Sequence, residues 1–167
     1  MKKILIFTAT YNEVNNIEKL IYKIKNSCSD TDILIVDDNS PDGTGKLLKE
    51  KEQKDSKLNV IVRAKKLGLD TAHKLAYDYA ITNDYDCLIT MDADLSHNPS
   101  EIPNFVKHIN NNDFVLGSRY MTGGRNKIGL LRFVLSYFGN KFIKNVLNIK
   151  CTEFTSSFRA FNLRRMN

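Results

Sequence analysis

Cysteine is scarce in this chain, and what little there is lies far apart. Cys28, Cys87 and Cys151 are odd in number and form no C-x-x-C pair. That spacing excludes a disulfide framework and a cysteine zinc site, and suits reduced thiols in a cytoplasmic setting. Proline (three) and glycine (eight) are also few, which excludes collagen-like and Pro/Gly-rich disordered chains. No apolar run approaches the about 18 residues that read as a spanning helix. The opening MKKILIFTATYNE soon meets charge and is not expected to be a secretory leader. No internal repeat or low-complexity linker is present. One kind of charge is missing over a long stretch: between Phe114 and Thr152 there is no acid, yet there are seven basic residues.

What is present is a globular composition, 42% hydrophobic and 26% charged, over 167 residues, enough for one domain with a real core. The net charge is +6, which favours an anionic partner without naming it. Residues 1–113 are mildly acidic, and the basic block of Arg119, Arg125, Lys127, Arg132, Lys141, Lys144 and Lys150 follows.

Short apolar runs alternate with helical patterns. KILIFTA (3–9), DILIV (32–36), NVIV (59–62), CLITM (87–91) and FVLG (114–117) read as buried strands bounded by turn residues. Between them, Ile17, Leu20, Ile21 and Ile24 mark one helix, with Asn15 and Glu18 resembling a capping box. Thr44 to Gln53 forms a second, more polar helix. Ala72, Leu75, Ala76, Tyr79 and Ala80 mark a third, and Pro99 opens a fourth carrying Ile102, Phe105, Val106 and Ile109. Residues 129–147 form a long amphipathic segment, read as a helix packed on the domain or lying on a membrane surface. Repeated β-α-β units with apolar strands imply an α/β fold, a mostly parallel sheet covered on both faces.

In such sheets ligands bind outside the carboxyl ends of the strands. Those ends carry TYNE (10–13), DDNSPDGTG (37–45), DADLSHNP (92–99) and SRY (118–120), so Glu13, Asp38, Asp92 and Asp94 are expected on one rim. DGTGKLL (42–48) is no phosphate loop. A dinucleotide fingerprint needs a glycine where Leu48 sits, and a Walker A loop needs Ser or Thr where Leu47 sits. Gly43 and Gly45 instead read as turn glycines opening the second helix. A receiver domain of two-component signalling would make Asp92 or Asp94 a phospho-acceptor. Against that, a whole β-α unit precedes the acidic pair, and the expected lysine after the last active-site strand is Arg119. The remaining reading is metal-assisted transfer from a nucleotide donor. Side chains alternate along an extended strand end, so Asp92 and Asp94 share a face, and two hard oxygens suit Mg²⁺ or Mn²⁺. His97 falls close enough to touch the same site. His73 and His108 lie in predicted helices.

TYNEVNNIEKLI, ILIVDDNSPDGTG, KKLGLDTAHKLA, MDADLSHNPSEIP, VLGSRYMTGG and TSSFRAF run in this order along nearly the whole chain. Together they resemble family 2 glycosyltransferases, and within them the polyprenol-phosphate (dolichol-phosphate) mannosyltransferases. The resemblance implies a GT-A-like, Rossmann-type three-layer sandwich. It implies a nucleotide sugar as donor, GDP-mannose in the best-known members, and a polyprenyl phosphate as acceptor. Transfer would invert the anomeric centre, at the cytoplasmic face of a membrane held peripherally, with no nucleic-acid partner. By position, Ala9, Tyr11, Glu13, Val36 and Asp38 would line the nucleotide site. Asp92, Ala93 and Asp94 would meet the diphosphate and metal, Ser96 would join the metal shell, and Arg119 and Arg132 would bind phosphates. The sequence departs from the family pattern at Ala9, Asp70, Glu153 and Ser157. It is also expected to be a single catalytic domain truncated at its C-terminus, with residues 1–118 binding the nucleotide sugar and 119–167 beginning the acceptor side. A non-catalytic nucleotide-sugar-binding remnant is the alternative. Oligomeric state is not legible.

Overall fold

The computed structural model of the chain describes residues 3–118, 130–147, 153–154 and 156–166. Six strands form one sheet: β1 (Ile4–Thr10), β2 (Asp32–Asp37), β3 (Leu58–Val62), β4 (Cys87–Thr90), β5 (Phe114–Leu116) and β6 (Arg159–Asn162). The helices are α1 (Ile17–Ser27), α2 (Thr44–Glu52), α3 (Leu69–Thr82), α4 (Ile102–Ile109), α5 (Leu130–Leu147) and α6 (Leu163–Met166). The strand order is β3-β2-β1-β4-β6-β5. β1 lies parallel to β2 and β4, and β3 lies parallel to β2. The α/β, mostly parallel architecture expected from the sequence is present, and each of the five expected strands exists within a residue or so of its expected place.

Period-two alternation in the strands produces the layers. Ile4, Ile6, Ile33, Ile35 and Ile89 point to one face and pack with Leu20 and Ile24 of α1, Leu48 of α2 and Phe105 of α4. Leu5, Phe7, Leu34, Val36 and Leu88 point to the other, where α3 presents Ala72, Ala76 and Ala80. Many of these side chains are fully buried, and each stabilises the fold by about 1.5–3 kcal/mol relative to exposure. Small alanines on α3 let that helix approach the sheet closely.

Three local readings are corrected. β6 was not anticipated. It inserts antiparallel beside β4, with Arg159 opposite Thr90 and Asn162 opposite Cys87. Buried Asn162 fixes this placement: its amide side chain donates to the carbonyls of Ile109 (3.1 Å) and Asn112 (3.4 Å), and its N–H to that of Asp113 (2.9 Å). The helix α1 is not closed by a capping box at Asn15. Its N-cap is Asn16, which makes no side-chain cap bond, and the Glu13 carbonyl accepts from the N–H groups of Asn16 (3.0 Å) and Ile17 (2.9 Å). Pro99 opens a 3₁₀ turn (Pro99–Glu101) rather than α4 itself, capped by the Asn98 side chain accepting from the Ser100 N–H at 3.2 Å.

The chain divides into two compact units, Met1–Val115 with Phe158–Asn167, and Leu116–Ser157. The last ten residues belong to the first unit because β6 joins its sheet. In the second unit, buried Asn140 donates to the Ser136 carbonyl (3.0 Å) and to Glu153 Oε1 (3.4 Å), and accepts from the Phe154 N–H (2.8 Å).

Gly45, in the first turn of α2, faces a packed wall. A Cβ there would lie 2.9 Å from Asp37 Oδ2 and 3.3 Å from both Val62 methyls. Replacing a helical glycine by alanine ordinarily stabilises by up to about 1 kcal/mol. Here the clash should win, and Gly45→Ala should cost about 1–3 kcal/mol, read from urea unfolding. A variant as stable as the parent would contradict the packing described.

Candidate active site

Three loops meet at the C-terminal ends of β1, β2 and β4. The first two are sewn together by side chain to backbone bonds. The Asn12 N–H donates to Ser40 Oγ (2.9 Å), that of Glu13 to Thr44 Oγ1 (3.1 Å), and that of Val14 to Asp42 Oδ2 (3.1 Å). Asn12 and Asn39 take positive φ (63° and 57°), which short polar side chains tolerate better than bulky ones. Burial opposes ionisation of Asp42, but hydrogen bonds from Thr44 and from the Val14 N–H prevail and lower its pKa.

Asp37 and Asp38 point in different directions, as consecutive residues at a strand end must. Asp37, fully buried, accepts from Thr10 Oγ1 (2.9 Å) and from Ser40 N (2.9 Å) and Oγ (2.5 Å). Asp38, also buried, pairs with the Arg63 guanidinium and accepts from the N–H groups of Leu67 (3.2 Å) and Gly68 (3.1 Å). Arg63 continues to Thr71 Oγ1 (2.6 Å) and the Gly68 carbonyl (3.0 Å). The loop before α3 is thus clamped to the end of β2. It brings Lys66 Nζ to 3.6 Å from the centroid of the Tyr11 ring, a cation–π contact at the rim.

The third loop carries the paired aspartates. Ala93 is buried in the core at 5% exposure, while Asp92 and Asp94 flank it on the solvent side, Asp92 half-buried and Asp94 exposed. The extended strand end expected from the sequence is absent: β4 stops at Thr90, and a turn at Ala93–Asp94 sends Ala93 inward between the two carboxylates. The Ser96 N–H donates to Asp94 Oδ1 at 2.9 Å. Burial raises the pKa of Asp94, but the hydrogen bonds from Ser96, with a smaller pull from His97 when its ring is protonated, outweigh it, so the net shift is down and the carboxylate stays ionised. Leu95 adopts φ 62°, a costly conformation for a branched residue. His97 folds back: its Nδ1 accepts the Asp92 N–H at 3.0 Å, and its ring stacks on Phe158 with centroids 5.0 Å apart.

The sequence-predicted residues therefore separate into groups. Asp92, Asp94 and Ser96 come together on one loop, and Tyr11 and Glu13 sit on the neighbouring one. Glu13 Oε2 accepts from Asn16 Nδ2 at 2.8 Å. Val36 is fully buried with its side chain in the core, so only its main chain can face a ligand. Ala9 packs partly buried beside the same cluster. Arg119 and the Arg132 side chain lie outside the described residues.

One basic residue at the rim was quoted in the sequence only as part of TSSFRAF. Arg159 begins β6 opposite Thr90, two residues before Asp92. Its charge is felt by His73, whose pKa is lowered first by burial and then by Arg159, against the opposing pull of Asp92 and Asp70. It is felt also by Tyr77, which burial pushes up to about 12 with Arg159 pulling the other way. The signal missed was the antiparallel strand that carries Arg159 back to the rim.

The two carboxylates suit a hard divalent cation. Among the described residues no group of three or more His, Cys, Asp or Glu side chains gathers to enclose an ion. A cation on Asp92 and Asp94 would complete its shell with water and substrate phosphate oxygens, as Mg²⁺ commonly does.

The chain is 31% identical over 160 residues to the undecaprenyl-phosphate mannosyltransferase of Micrococcus luteus, covering 95% of this chain and 66% of that protein. It is 33% identical to the polyprenol monophosphomannose synthase of Mycolicibacterium smegmatis, covering 96% and 62%. It thus spans less than two thirds of the length of these relatives. Among solved structures, the mannosyltransferase PcManGT of Pyrobaculum calidifontis, in complex with GDP-Man and Mn2+, matches with a TM-score of 0.65 at 17% identity, over 99% of this chain and 47% of that one. Glucosyl-3-phosphoglycerate synthase of Mycobacterium tuberculosis, with Mn2+, UDP and phosphoglyceric acid, matches at 0.66 and 18%, over 96% and 56%. At such identities these structures establish the fold alone, the GT-A arrangement. The sequence profile of glycosyl transferase family 2 matches residues 5–165, and the chain belongs to that family.

Proposed function

We propose that this chain carries the donor-binding part of a polyprenol-phosphate glycosyltransferase. It binds a nucleotide-diphosphate sugar, with GDP-mannose as first choice, together with Mg²⁺ or Mn²⁺. It transfers the sugar with inversion to a polyprenyl phosphate, working peripherally at the cytoplasmic face of a membrane. The observation that carries this reading is the disposition of residues 92–94, with Ala93 locked in the core and a carboxylate to either side facing solvent. The names of the relatives support the substrate class.

In this reading Ala9, Tyr11, Glu13, Val36 and Asp38 line the nucleoside pocket, with Val36 contributing main chain and Asp38 holding the Leu67–Gly68 loop that forms its wall. Asp92 and Asp94 hold the cation, and Ser96 keeps Asp94 aimed and ionised. A bound divalent ion would neutralise the diphosphate leaving group. The acceptor phosphate has its second pKa near ~6 and is largely dianionic at neutral pH, so little proton removal is required. One of its oxygens attacks the anomeric carbon. The bond from that carbon to the β-phosphate oxygen breaks, and the nucleoside diphosphate leaves with the electron pair. The protein's task is then to hold two anions together. Arg119 and Arg132 fork onto the acceptor phosphate, and Arg159 adds fixed positive charge at the rim. Positioning and electrostatics supply most of the rate.

Support for the membrane part comes from α5. Leu135, Phe138, Phe142 and Val146 are 62–68% exposed and recur at helical spacing, with Lys141 and Lys144 exposed on the same helix. That pattern suits an interfacial helix on anionic lipid. Among the described residues no helix is long and apolar enough to cross a membrane.

Four outcomes test the reading. Asp94→Asn should weaken Mn²⁺-dependent GDP binding, measured by calorimetry, by at least the about 10–100-fold that loss of a supporting group costs a metal site. Undiminished binding and transfer would remove the metal role. Arg132→Ala should raise the KM for a short polyprenyl phosphate far more than that for GDP-mannose, and equal effects on both would contradict the acceptor assignment. Phe138→Ser combined with Phe142→Ser should reduce co-sedimentation with anionic vesicles, and unchanged binding would remove the interfacial role of α5. Donor binding without transfer to any polyprenyl phosphate would contradict the transferase part of the reading and leave the donor site standing.

A further inference from the structure

The loop that bears the paired aspartates is braced from behind by an imidazole. His97 Nδ1 accepts the backbone N–H of Asp92 at 3.0 Å, and its Nε2 lies 3.7 Å from Asp92 Oδ2. One ring edge therefore spans both the main chain and the carboxylate of the same residue. An Nδ1 that accepts a hydrogen bond carries no proton, so in the neutral ring the proton sits on Nε2. The Nε2–H then faces the carboxylate, too far for a hydrogen bond but on the side that favours a negative charge.

The ring is itself immobilised. Its side chain is only 18% exposed and stacks on Phe158 (centroids 5.0 Å, interplanar 20°). Phe158 in turn stacks on Phe105 of α4 (4.2 Å, 30°). Phe158 directly precedes Arg159 of β6, so the strand that brings Arg159 to the rim also sets the platform under His97. The loop needs such a brace. Between Asp92 and His97 it makes a tight turn through Leu95 at φ 62°, and backbone of that kind persists only where surrounding contacts hold it.

We propose that His97 is a positioning residue for the Asp92–Asp94 pair, its unprotonated Nδ1 fixing the Asp92 main chain and, through it, the place of the carboxylate. The proposal deepens the metal-binding reading of the site and rests on it for its consequence, although the tautomer and the brace concern this chain alone. Removing the acceptor should free the Asp92 N–H, let the turn relax and misplace one of two carboxylates. Packing on Phe158 and acceptance from Asp92 are separable by substitution. Phenylalanine keeps a flat ring on Phe158 and lacks an acceptor. Asparagine lacks the ring, but its Oδ1 occupies nearly the place of Nδ1.

The test has two arms on the full 167-residue chain. In the metal-free protein, ¹⁵N-edited NMR at a pH where the ring is neutral should show Nδ1 unprotonated and Nε2 protonated for His97. An Nδ1–H tautomer would overturn the proposal. In the second arm, Mn²⁺ affinity in the presence of GDP is measured for His97→Phe, His97→Gln and His97→Asn, with thermal unfolding in parallel. Phe and Gln should lose about 10–100-fold, the usual effect of losing a group that orients a metal ligand. Asn should stay close to the parent even if its melting temperature falls. If Phe retains full affinity, or if Asn loses as much as Phe, His97 only packs and the proposal fails. A parent chain that binds no Mn²⁺ in any condition would contradict the metal reading itself, and the tautomer would then decide the role of His97 alone.

Discussion

The carboxylate of Asp37 lies beyond the reach of water, and the shape of the rim follows from the need to satisfy it. A buried, unpaired carboxylate would cost several kcal/mol. Here it accepts bonds from Thr10 at the end of β1 and from the N–H and hydroxyl of Ser40 in the turn after β2. Gly45 comes close behind it, where no side chain fits. Ser40 also takes the Asn12 N–H, so the loops after β1 and β2 become one body. Asp38 repeats the device in the opposite direction, tying Arg63 and the Leu67–Gly68 loop to the same strand end. Two adjacent acids thereby fix three loops before any ligand arrives.

Against this frame the acids of the rim fall into two kinds. Asp37, Asp38 and Asp42 are occupied by the protein's own donors, and they build walls. Asp92 and Asp94 stand on the solvent side of a loop whose middle residue is anchored in the core. Under the proposed function, the rigid walls and the pair of outward carboxylates would position a charged substrate. Arg159 contributes the opposite charge from a neighbouring strand, so the rim combines the acid pair with a cation that the fold, and not the local sequence, brings there.

Much of this was legible in the sequence. Alternating apolar runs marked five strands, because their Ile, Leu and Val side chains must fill two faces of a covered sheet. That the paired aspartates follow a strand was readable, but the geometry that parts them was not: β4 ends at Thr90, and a turn at Ala93–Asp94, not period-two extension, puts Ala93 inward. β6 was not readable. RAFN is four residues long, begins with arginine and gains its place by inserting between β4 and β5 and through the bonds of Asn162 to distant carbonyls. Nor could the sequence tell which acids tie one loop to another. Asp38 looks no different from Asp92 until Arg63 and Gly68 are brought beside it by the fold. The cap at α1 slipped by one residue because a backbone carbonyl, that of Glu13, performs the task expected of a side chain.

The central claim is that Asp92 and Asp94 are the place where a divalent ion and a nucleoside diphosphate meet this chain. Anomalous scattering from crystals of the chain grown with Mn²⁺ and GDP tests it most directly. The account predicts an anomalous peak within coordination distance of both a carboxylate oxygen of Asp92 or Asp94 and a diphosphate oxygen, with the nucleoside beside Tyr11. GDP bound at that rim with no ion between it and these aspartates, or an ion bound elsewhere on the surface, would contradict it.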